Sequence, residues 1–585
     1  MKIKPHLAAD FYKPAHIDQY SKKTSLIQSN FTARSARLFP HFADEDQRIL
    51  FGGLQGPLAW FFRDLWNDRF FNRPKDVVIG EYKRMMDTAI GKDKVNINGI
   101  SELHDLGYLP LEVRALPEGS LVPVQVPVYT VHNTHPDFYW LVNFLESVIS
   151  AETWKTVTTA TTVFQLNKLC RAFAQKTCDN FDHLPYQLHM FAFRGEAGVH
   201  DAAQSEFGHL MNSMGTDTIP SICYAEDYYG MEGQFVAGSI PASEHSVATT
   251  NIGFIIEDLK VEFPEATQDE LRYKAEVIFL RKYITEIYPD GFVSYVADSY
   301  DYWSIVTKAL PELYEEIMAR EGRLVIRPDS GIPEHIIAGY RTINLEGAKA
   351  LIWMDYKTGV VGHKDSLEEN LKDVEEISKV SDLRRFDFER ISGTGAELIE
   401  HDGVYYDAKT GKVSDLKIHE IKGTIQCLWE IFGGHVNSKD YKVLDSHIGL
   451  IYGDSIHTAR AKEIFKRLDE KGFASANVVF GVGSYSTQFV TRDSLGFAMK
   501  ATGAVIGGHE ILVTKDPKTD SKKKSAKGFL KVVKGADGNF ELVDGLSFEQ
   551  SQAADNELRV VWRDSKFVVE ETLTTIRERV QSNFQ

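Results

Sequence analysis

At Arg327-Pro328-Asp329-Ser330-Gly331 a guanidinium stands two positions before a carboxylate, and a glycine closes the stretch. A guanidinium can fork onto two phosphate oxygens. A carboxylate can accept from both hydroxyls of a ribose-like diol, and glycine lets a ligand come close to the backbone. Tyr452-Gly453-Asp454-Ser455 repeats the Gly-Asp combination. Phe480-Gly481-Val482-Gly483-Ser484-Tyr485-Ser486 is a small-residue turn whose N–H groups can face a phosphate. In the stretch 239–246 one histidine, His245, follows Glu244; imidazole shuttles protons and can attack phosphoryl groups. Asp217 lies in a tight Gly-Thr-Asp-Thr turn, and Arg492, Lys500, Lys515 and Lys523 add cations near the end of the chain. Together these groups suit a phosphorylated sugar.

Each stretch also has a plain structural reading. The first is equally an Arg–Asp pair in a polar turn, the 480–486 stretch a tight βα connection, and Asp217 an N-cap. A lone histidine is often a satisfied structural residue, a lone phenylalanine such as Phe191 is usually core, and the basic loop at 515–528 fits a solvated charge run. Position along the elements separates the two readings. From about residue 186 apolar strands alternate with helical patterns: YQLHMFAFRG, a helix capped by Thr267 and Glu270, FVSYVADSYD, a helix closed by Gly322, RLVIRPDSG, GLIYGDS, a helix around 459–471 and NVVFGVGS. Strand–helix alternation predicts parallel β/α units. Every strand ends in polar or glycine residues, as at the active-site face of a β/α barrel. On the first of these strands, alternation puts His189, Phe191 and Phe193 on one face.

The predicted architecture is α/β: an incomplete β/α barrel over 151–510, interrupted by an insertion at 333–420. Residues 1–150 form a mixed domain with antiparallel strands around 111–131. Residues 511–585 supply a hairpin turning near Asp537–Gly538 and a helix that pack on the N-terminal domain. Within the insertion, 401–416 reads as a hairpin around a Lys-Thr-Gly turn. The chain has 585 residues and a net charge of −17, which argues against a general nucleic-acid binder. Its four cysteines form no ligand-spaced cluster. With no signal-like N-terminus and no apolar stretch of membrane-spanning length, a cytoplasmic protein is expected.

The motifs occur in a specific order: DFYK at 10–13, FTAR at 31–34, LHMFAFRG at 188–195, GTDT at 215–218, SIPASEHS at 239–246, ADSYD at 297–301, RPDSG, YGDS, TRDSLGFAMK at 491–500 and KDP at 515–517. This series closely resembles that of the nicotinamide phosphoribosyltransferases, which are type II phosphoribosyltransferases. The resemblance covers most of the chain outside the insertion and parts of the first 150 residues. It implies conversion of nicotinamide and phosphoribosyl pyrophosphate into nicotinamide mononucleotide and pyrophosphate, with magnesium (Mg2+), in NAD biosynthesis. It also implies that ATP phosphorylates His245 to help drive the reaction, and that the protein is a homodimer with shared sites.

The same resemblance distributes the roles. Phe191 and the partner subunit's Tyr12 would sandwich the pyridine, and Asp217 would read its amide. Ser294 joins the substrate-binding set. Asp329, Asp454, Gly453, Gly483 and Ser484 would meet the ribose hydroxyls and 5′-phosphate. Arg194, Arg327 and His245 would face the pyrophosphate. Arg34, Arg492, Lys500, Lys515 and Lys523 would add phosphate contacts, some across the dimer. Asp298 would orient the histidine or serve a metal shell, and no all-protein metal cage is expected. A carboxylate at 217 accepts from an amide but repels nicotinate; like charges cost several kcal/mol, roughly a hundredfold preference or more. Two departures stand out. Gly483 of the family's GxGGG turn is kept but is followed by Ser484 and Tyr485, and Ala498 replaces a phosphate-contacting serine.

Overall fold

A computed structural model describes residues 3–358, 367–453, 455–514 and 526–584. Six short strands have buried, mostly apolar stretches: β1 (Leu188–Met190), β2 (Gly215–Thr216), β3 (Asp290–Val296), β4 (Glu321–Arg327), β5 (Ile448–Tyr452) and β6 (Val478–Val482). Such runs suit parallel strands covered on both faces. They pair in the order β2-β1-β6-β5-β4-β3, every pair parallel. The curled sheet leaves β2 and β3 as its edges, and the segment 238–243 spans the gap. It bridges Gly215 to Gly238 on one side and Ala242 to Ser294 on the other. Ser243 N–H donates to the Ser294 carbonyl at 2.9 Å, and Ser294 N–H to the Pro241 carbonyl at 2.8 Å. The expected incomplete β/α barrel is thus closed by a seam of two isolated bridges. Met190, Leu324, Ile326, Leu450 and Phe480 fill its buried core with the surrounding helices.

Two local expectations change. β1 stops at Met190, and Phe193–Gly195 is a 3-10 turn, so the exposed Phe193 leaves the face of His189 and Phe191. The Gln488 amide donates to the Ala192 carbonyl at 2.9 Å and packs against Gly195, which bends the chain away from the sheet. Gly322 does not close a helix. It sits in β4 at φ 145°, opposite Gly291, where a Cβ would meet the Gly291 carbonyl at 2.1 Å. The preceding helix ends at Met318, and Arg320 caps the carbonyls of Ile284, Tyr288, Asp290 and Gly291 instead.

A second, seven-stranded antiparallel sheet joins distant parts of the chain. Thr24–Thr32, Leu111–Ala115 and Pro127–Asn133 pair with one another, with Ala498–Ile506 and with Arg559–Arg563. Ala498–Ile506, which chain position alone assigns to the barrel, belongs to this sheet. The 37-residue helix Leu141–Thr177 serves both cores. Leu141, Phe144, Leu145 and Ile149 pack under the antiparallel sheet, while Leu166, Leu169 and Cys170 pack in the barrel. Among the described residues no helix is long and apolar enough to cross a membrane.

The insertion has its own small core, including Leu345, Ile352, Ile391 and Ile399, under a sheet of Thr342–Asn344, Leu398–His401 and Val404–Asp407. The expected hairpin around Lys409-Thr410-Gly411 is present: Tyr406 bridges Val413 antiparallel, Asp407 N–H donates to the Lys412 carbonyl and Ser414 N–H to the Tyr405 carbonyl, both at 2.8 Å; a second hairpin turns at Asp402-Gly403, both at positive φ. The helix Pro333–Ala338 packs in the barrel core. One carboxylate ties insertion to barrel: Glu397 accepts from His335 at 2.8 Å, from Arg341 N–H at 2.9 Å and from both arms of Arg467 at 2.8 and 2.9 Å. Burial opposes ionisation of Glu397, but the His335 and Arg467 hydrogen bonds outweigh it and hold the carboxyl at about 2. A lowered carboxyl pKa stabilises fully above the ordinary carboxylate range and loses that contribution as pH falls towards the lowered value. Glu397→Ala will therefore cost about 2–4 kcal/mol in urea unfolding at pH 7, and the difference from wild type will shrink below about pH 4.

Candidate active site

Three side-chain groupings meet at the C-terminal ends of the barrel strands. In the first, β1 presents His189, the turn after β2 presents Asp217, and the closing segment presents Ser239. Asp217 Oδ1 lies 2.9 Å from His189 Nε2 and accepts from the Ser239 hydroxyl at 2.5 Å. Asp217 N–H donates to the Met190 carbonyl at 3.1 Å, which fixes the carboxylate beside β1. Burial raises the Asp217 pKa. The hydrogen bonds from His189 and Ser239, and the nearby charges of His189 and Arg327, outweigh that and hold the carboxyl below its usual range. At neutral pH this group is a charged acceptor.

The second grouping is built on a buried carboxylate. The closing segment runs directly into the helix His245–Glu262, so His245 opens that helix at the rim. Its Nε2 lies 2.9 Å from Asp298 Oδ1, just past the end of β3. The Asp298 side chain is only 5% exposed, against 41% for His245. Asp298 Oδ2 accepts from Asp329 N–H at 2.9 Å and from the Ser330 hydroxyl at 2.7 Å. A carboxylate oxygen accepts this bond, so Nε2 is the donating nitrogen of His245 and Nδ1 is the ring nitrogen outside it. The Tyr452 hydroxyl donates to the carbonyls of Ser330 and Gly331, both at 3.1 Å, and pins the RPDSG loop.

Phe191 makes the third grouping. A Cβ on Gly453 would come 3.1 Å from its ring, and one on Gly481 would come 2.4 Å from the ring and 2.5 Å from Gly453 Cα. The ring thus rests on two glycine strand ends, with Asp329 Oδ1 3.6 Å from the Gly453 Cβ position. His189 and Phe191 centroids are 5.0 Å apart, tilted at 49°. Gly481→Ala will cost about 1–3 kcal/mol in urea unfolding, because backbone as well as ring must move.

Arg327 links the groupings. Its carbonyl accepts from Ala297 N–H at 3.0 Å, which sets it beside Asp298, and its charge reaches Asp217. Its Nε is buried without a protein partner, a donor suited to an anionic ligand. Ser294 Oγ is likewise buried and unpartnered on β3. A Cβ on Gly483 would come 3.3 Å from the Ala192 backbone nitrogen, and Ser484 starts the short helix Ser484–Thr487.

The other expected site residues make local contacts. Tyr12 is 59% exposed in the N-terminal region, its ring beside His16 and Lys13. Arg34 donates to the Gly496 carbonyl at 2.8 Å. Arg492 pairs with Asp493 at 3.1 Å on the surface. Lys500 is opposite Asn30 in the antiparallel sheet, and Arg194 is on the exposed 3-10 turn. Asp454, Lys515 and Lys523 lie outside the described residues. Sequence reasoning passed over His189, Ser239 and Ser330 as functional residues. For His189 a signal existed, its place on the same strand face as Phe191; for the two serines there was only proximity to a motif.

Residues 186–566 match the nicotinate phosphoribosyltransferase (NAPRTase) family. The chain is 38% identical to a nicotinamide phosphoribosyltransferase of Acinetobacter baylyi, over 100% of this chain and 98% of that protein. It is 28% identical to a nicotinamide phosphoribosyltransferase of Xanthomonas campestris pv. campestris, over 80% of this chain and 79% of that protein. Among solved structures, human nicotinic acid phosphoribosyltransferase aligns with a TM-score of 0.45 and 13% identity, over 98% of this chain and 93% of that one.

Proposed function

Because this chain belongs to the nicotinate phosphoribosyltransferase (NAPRTase) family, we propose that it transfers the phosphoribosyl group of phosphoribosyl pyrophosphate to nicotinamide, for NAD biosynthesis in the cytoplasm. The observation that carries the choice of substrate is the Asp217 carboxylate, kept charged by His189 and Ser239, with the His189 ring centroid 5.0 Å from that of Phe191. A flat ring on Phe191 would present its substituent to that acceptor. The amide NH₂ of nicotinamide donates to it, whereas the carboxylate of nicotinate meets like charge.

The rest of the rim fits the transfer. The bond from ribose C1 to the pyrophosphate oxygen breaks as the pyridine nitrogen bonds to C1, through an oxocarbenium-like state. Asp329 is placed to hold ribose hydroxyls, and Arg327 to neutralise the leaving pyrophosphate. Arg194, Ser294, Gly453, Asp454, Gly483 and Ser484 complete the ribose and phosphate contacts in this reading. Among the described residues no group of three His, Cys, Asp or Glu side chains could cage a metal. Asp298 and Asp329 beside the substrate oxygens fit magnesium, which holds few carboxylates; when bound it supplies charge neutralisation to the pyrophosphate. His245, oriented by Asp298 with Nδ1 outward, is the group we assign to accept the ATP γ-phosphoryl. A homodimer lets the exposed Tyr12 of one copy cover the pyridine of the other and brings Arg34, Arg492, Lys500, Lys515 and Lys523 to the phosphates.

Purified protein with phosphoribosyl pyrophosphate, magnesium and either nicotinamide or nicotinate tests the reading. Nicotinamide mononucleotide should form, with kcat/KM for nicotinamide roughly a hundredfold above that for nicotinate. Equal use of the two bases would overturn the assignment.

A further inference from the structure

A cavity of about 620 Å³ lies at the other end of the barrel from the site above. Leu184 and Pro185 line it just before β1, Met214 just before β2, and Phe235 just before the closing segment, while the C-terminal helix Leu573–Ser582 forms its outer wall. Its volume is that of a small-molecule site. Met211, Met214, Met231, Phe181 and Phe235 give it an apolar part, and two guanidinium groups stand in it, Arg171 and Arg577. Arg577 donates to the Leu210 carbonyl at 2.7 Å and the Ser213 carbonyl at 3.3 Å. Arg171 lies 4.2 Å over the Phe584 ring and donates to the Gln581 side chain, and its Nε is buried without a partner.

Among the described residues neither arginine makes an ion pair; the carboxylate lining the cavity, Glu578, is on the exposed side of the helix. Burial pushes the Arg577 guanidinium down to about 10, and lowers Arg171 as well. Both guanidinium groups are partly buried, and the partners they do have are neutral oxygens, the Leu210 and Ser213 carbonyls and the Gln581 amide, so among the described residues their charge is met by no ion pair.

We propose that this cavity binds a small organic anion, a carboxylate or phosphate carrying an apolar body, with Arg171 and Arg577 as its counter-charges and the methionine–aromatic wall around its apolar part. It is not a subsite of the proposed reaction, because the strands separate the two ends. It does touch their backbone: Gly238 N–H donates to the Met214 carbonyl at 2.8 Å, three residues before Asp217 and next to Ser239. An occupant therefore rests on the two short segments that end in those residues.

The test uses full-length protein and the fluorescent anion 8-anilinonaphthalene-1-sulfonate. Saturable binding is expected to the wild type. Arg171→Met, which keeps the stem over Phe584 but removes the charge, should weaken it at least tenfold. Thr574→Trp, which fills the cavity from an exposed helix position and keeps both arginines, should do the same. Phe191→Ala, at the opposite end, should leave dye affinity unchanged. Hexanoate and hexyl phosphate should displace the dye while hexanol does not, and the stronger of the two competitors identifies carboxylate or phosphate as the preferred head group. The proposal fails if there is no saturable binding, or if either cavity variant melts like the wild type and binds dye normally. It also fails if Phe191→Ala abolishes binding or hexanol competes as well as the anions.

Discussion

Asp217→Asn will reduce kcat/KM for nicotinamide about ten- to a hundredfold and raise that for nicotinate, so that the two bases are used within about tenfold of each other. Loss of a hydrogen bond to a charged acceptor costs about 1.5–3 kcal/mol, and each 1.4 kcal/mol is tenfold. Removing the negative charge also removes the repulsion that excludes an acid. Competition assays with both bases in one mixture measure the ratio directly; unchanged discrimination would remove Asp217 from the amide-reading role.

The companion variant His189→Ala separates charge from position. With its imidazole gone, the carboxyl at 217 loses the hydrogen bond and charge that lower its pKa. A lowered carboxyl stays charged down to its lowered pKa, so removing the cause moves its protonation to higher pH. The acid limb of the nicotinamide kcat/KM profile should therefore move upward in His189→Ala, whereas a merely structural loss would lower the profile without shifting it.

His245→Ala will abolish ATP hydrolysis and labelling of the protein by γ-labelled ATP, while thermal melting stays close to wild type because the residue begins its helix at a partly exposed rim. Asp298→Asn will lower ATP-coupled turnover by about 10²–10⁴-fold, the usual contribution of a correctly protonated and positioned group. The amide can accept on one side only, so it cannot serve His245 Nε2, Asp329 N–H and Ser330 together as the carboxylate does. Labelled phosphate on His245→Ala, or full coupling without it, would place the phosphoryl acceptor elsewhere.

Much of the barrel was legible because its signals are local. β4, β5 and β6 carry short apolar runs followed by Arg-Pro-Asp, Gly-Asp or Gly-x-Gly, and helical periodicity lies between them. The capping box at Thr267 and Glu270 forms as its spacing predicts, and the hairpin at Asp537–Gly538 joins Phe529–Lys534 to Phe540–Leu546. The end of β1 was not legible. Phe191 and Phe193 alternate as a strand should, but the bend between them depends on Gln488, almost 300 positions away. Gly322 was misplaced for a related reason: a glycine after a helix looks the same whether it ends the helix or lets two paired strands approach closely.

What the residues alone determined is the chemical inventory and its order along the chain: the guanidinium, the carboxylates that follow the strands, the histidine and the glycines, each coded within a few neighbouring positions. Tertiary structure decided which of them act together. The seam at 238–243 has no strand signature, only two bridges supplied by the edges it joins, yet it brings Ser239 to Asp217 and delivers His245 to Asp298. The ionisation of Asp217, the tautomer of His245 and the resting place of Phe191 depend on partners from other strands. Electrostatic and packing energies act over a few ångströms in space, and neighbours at that range can lie anywhere along the chain.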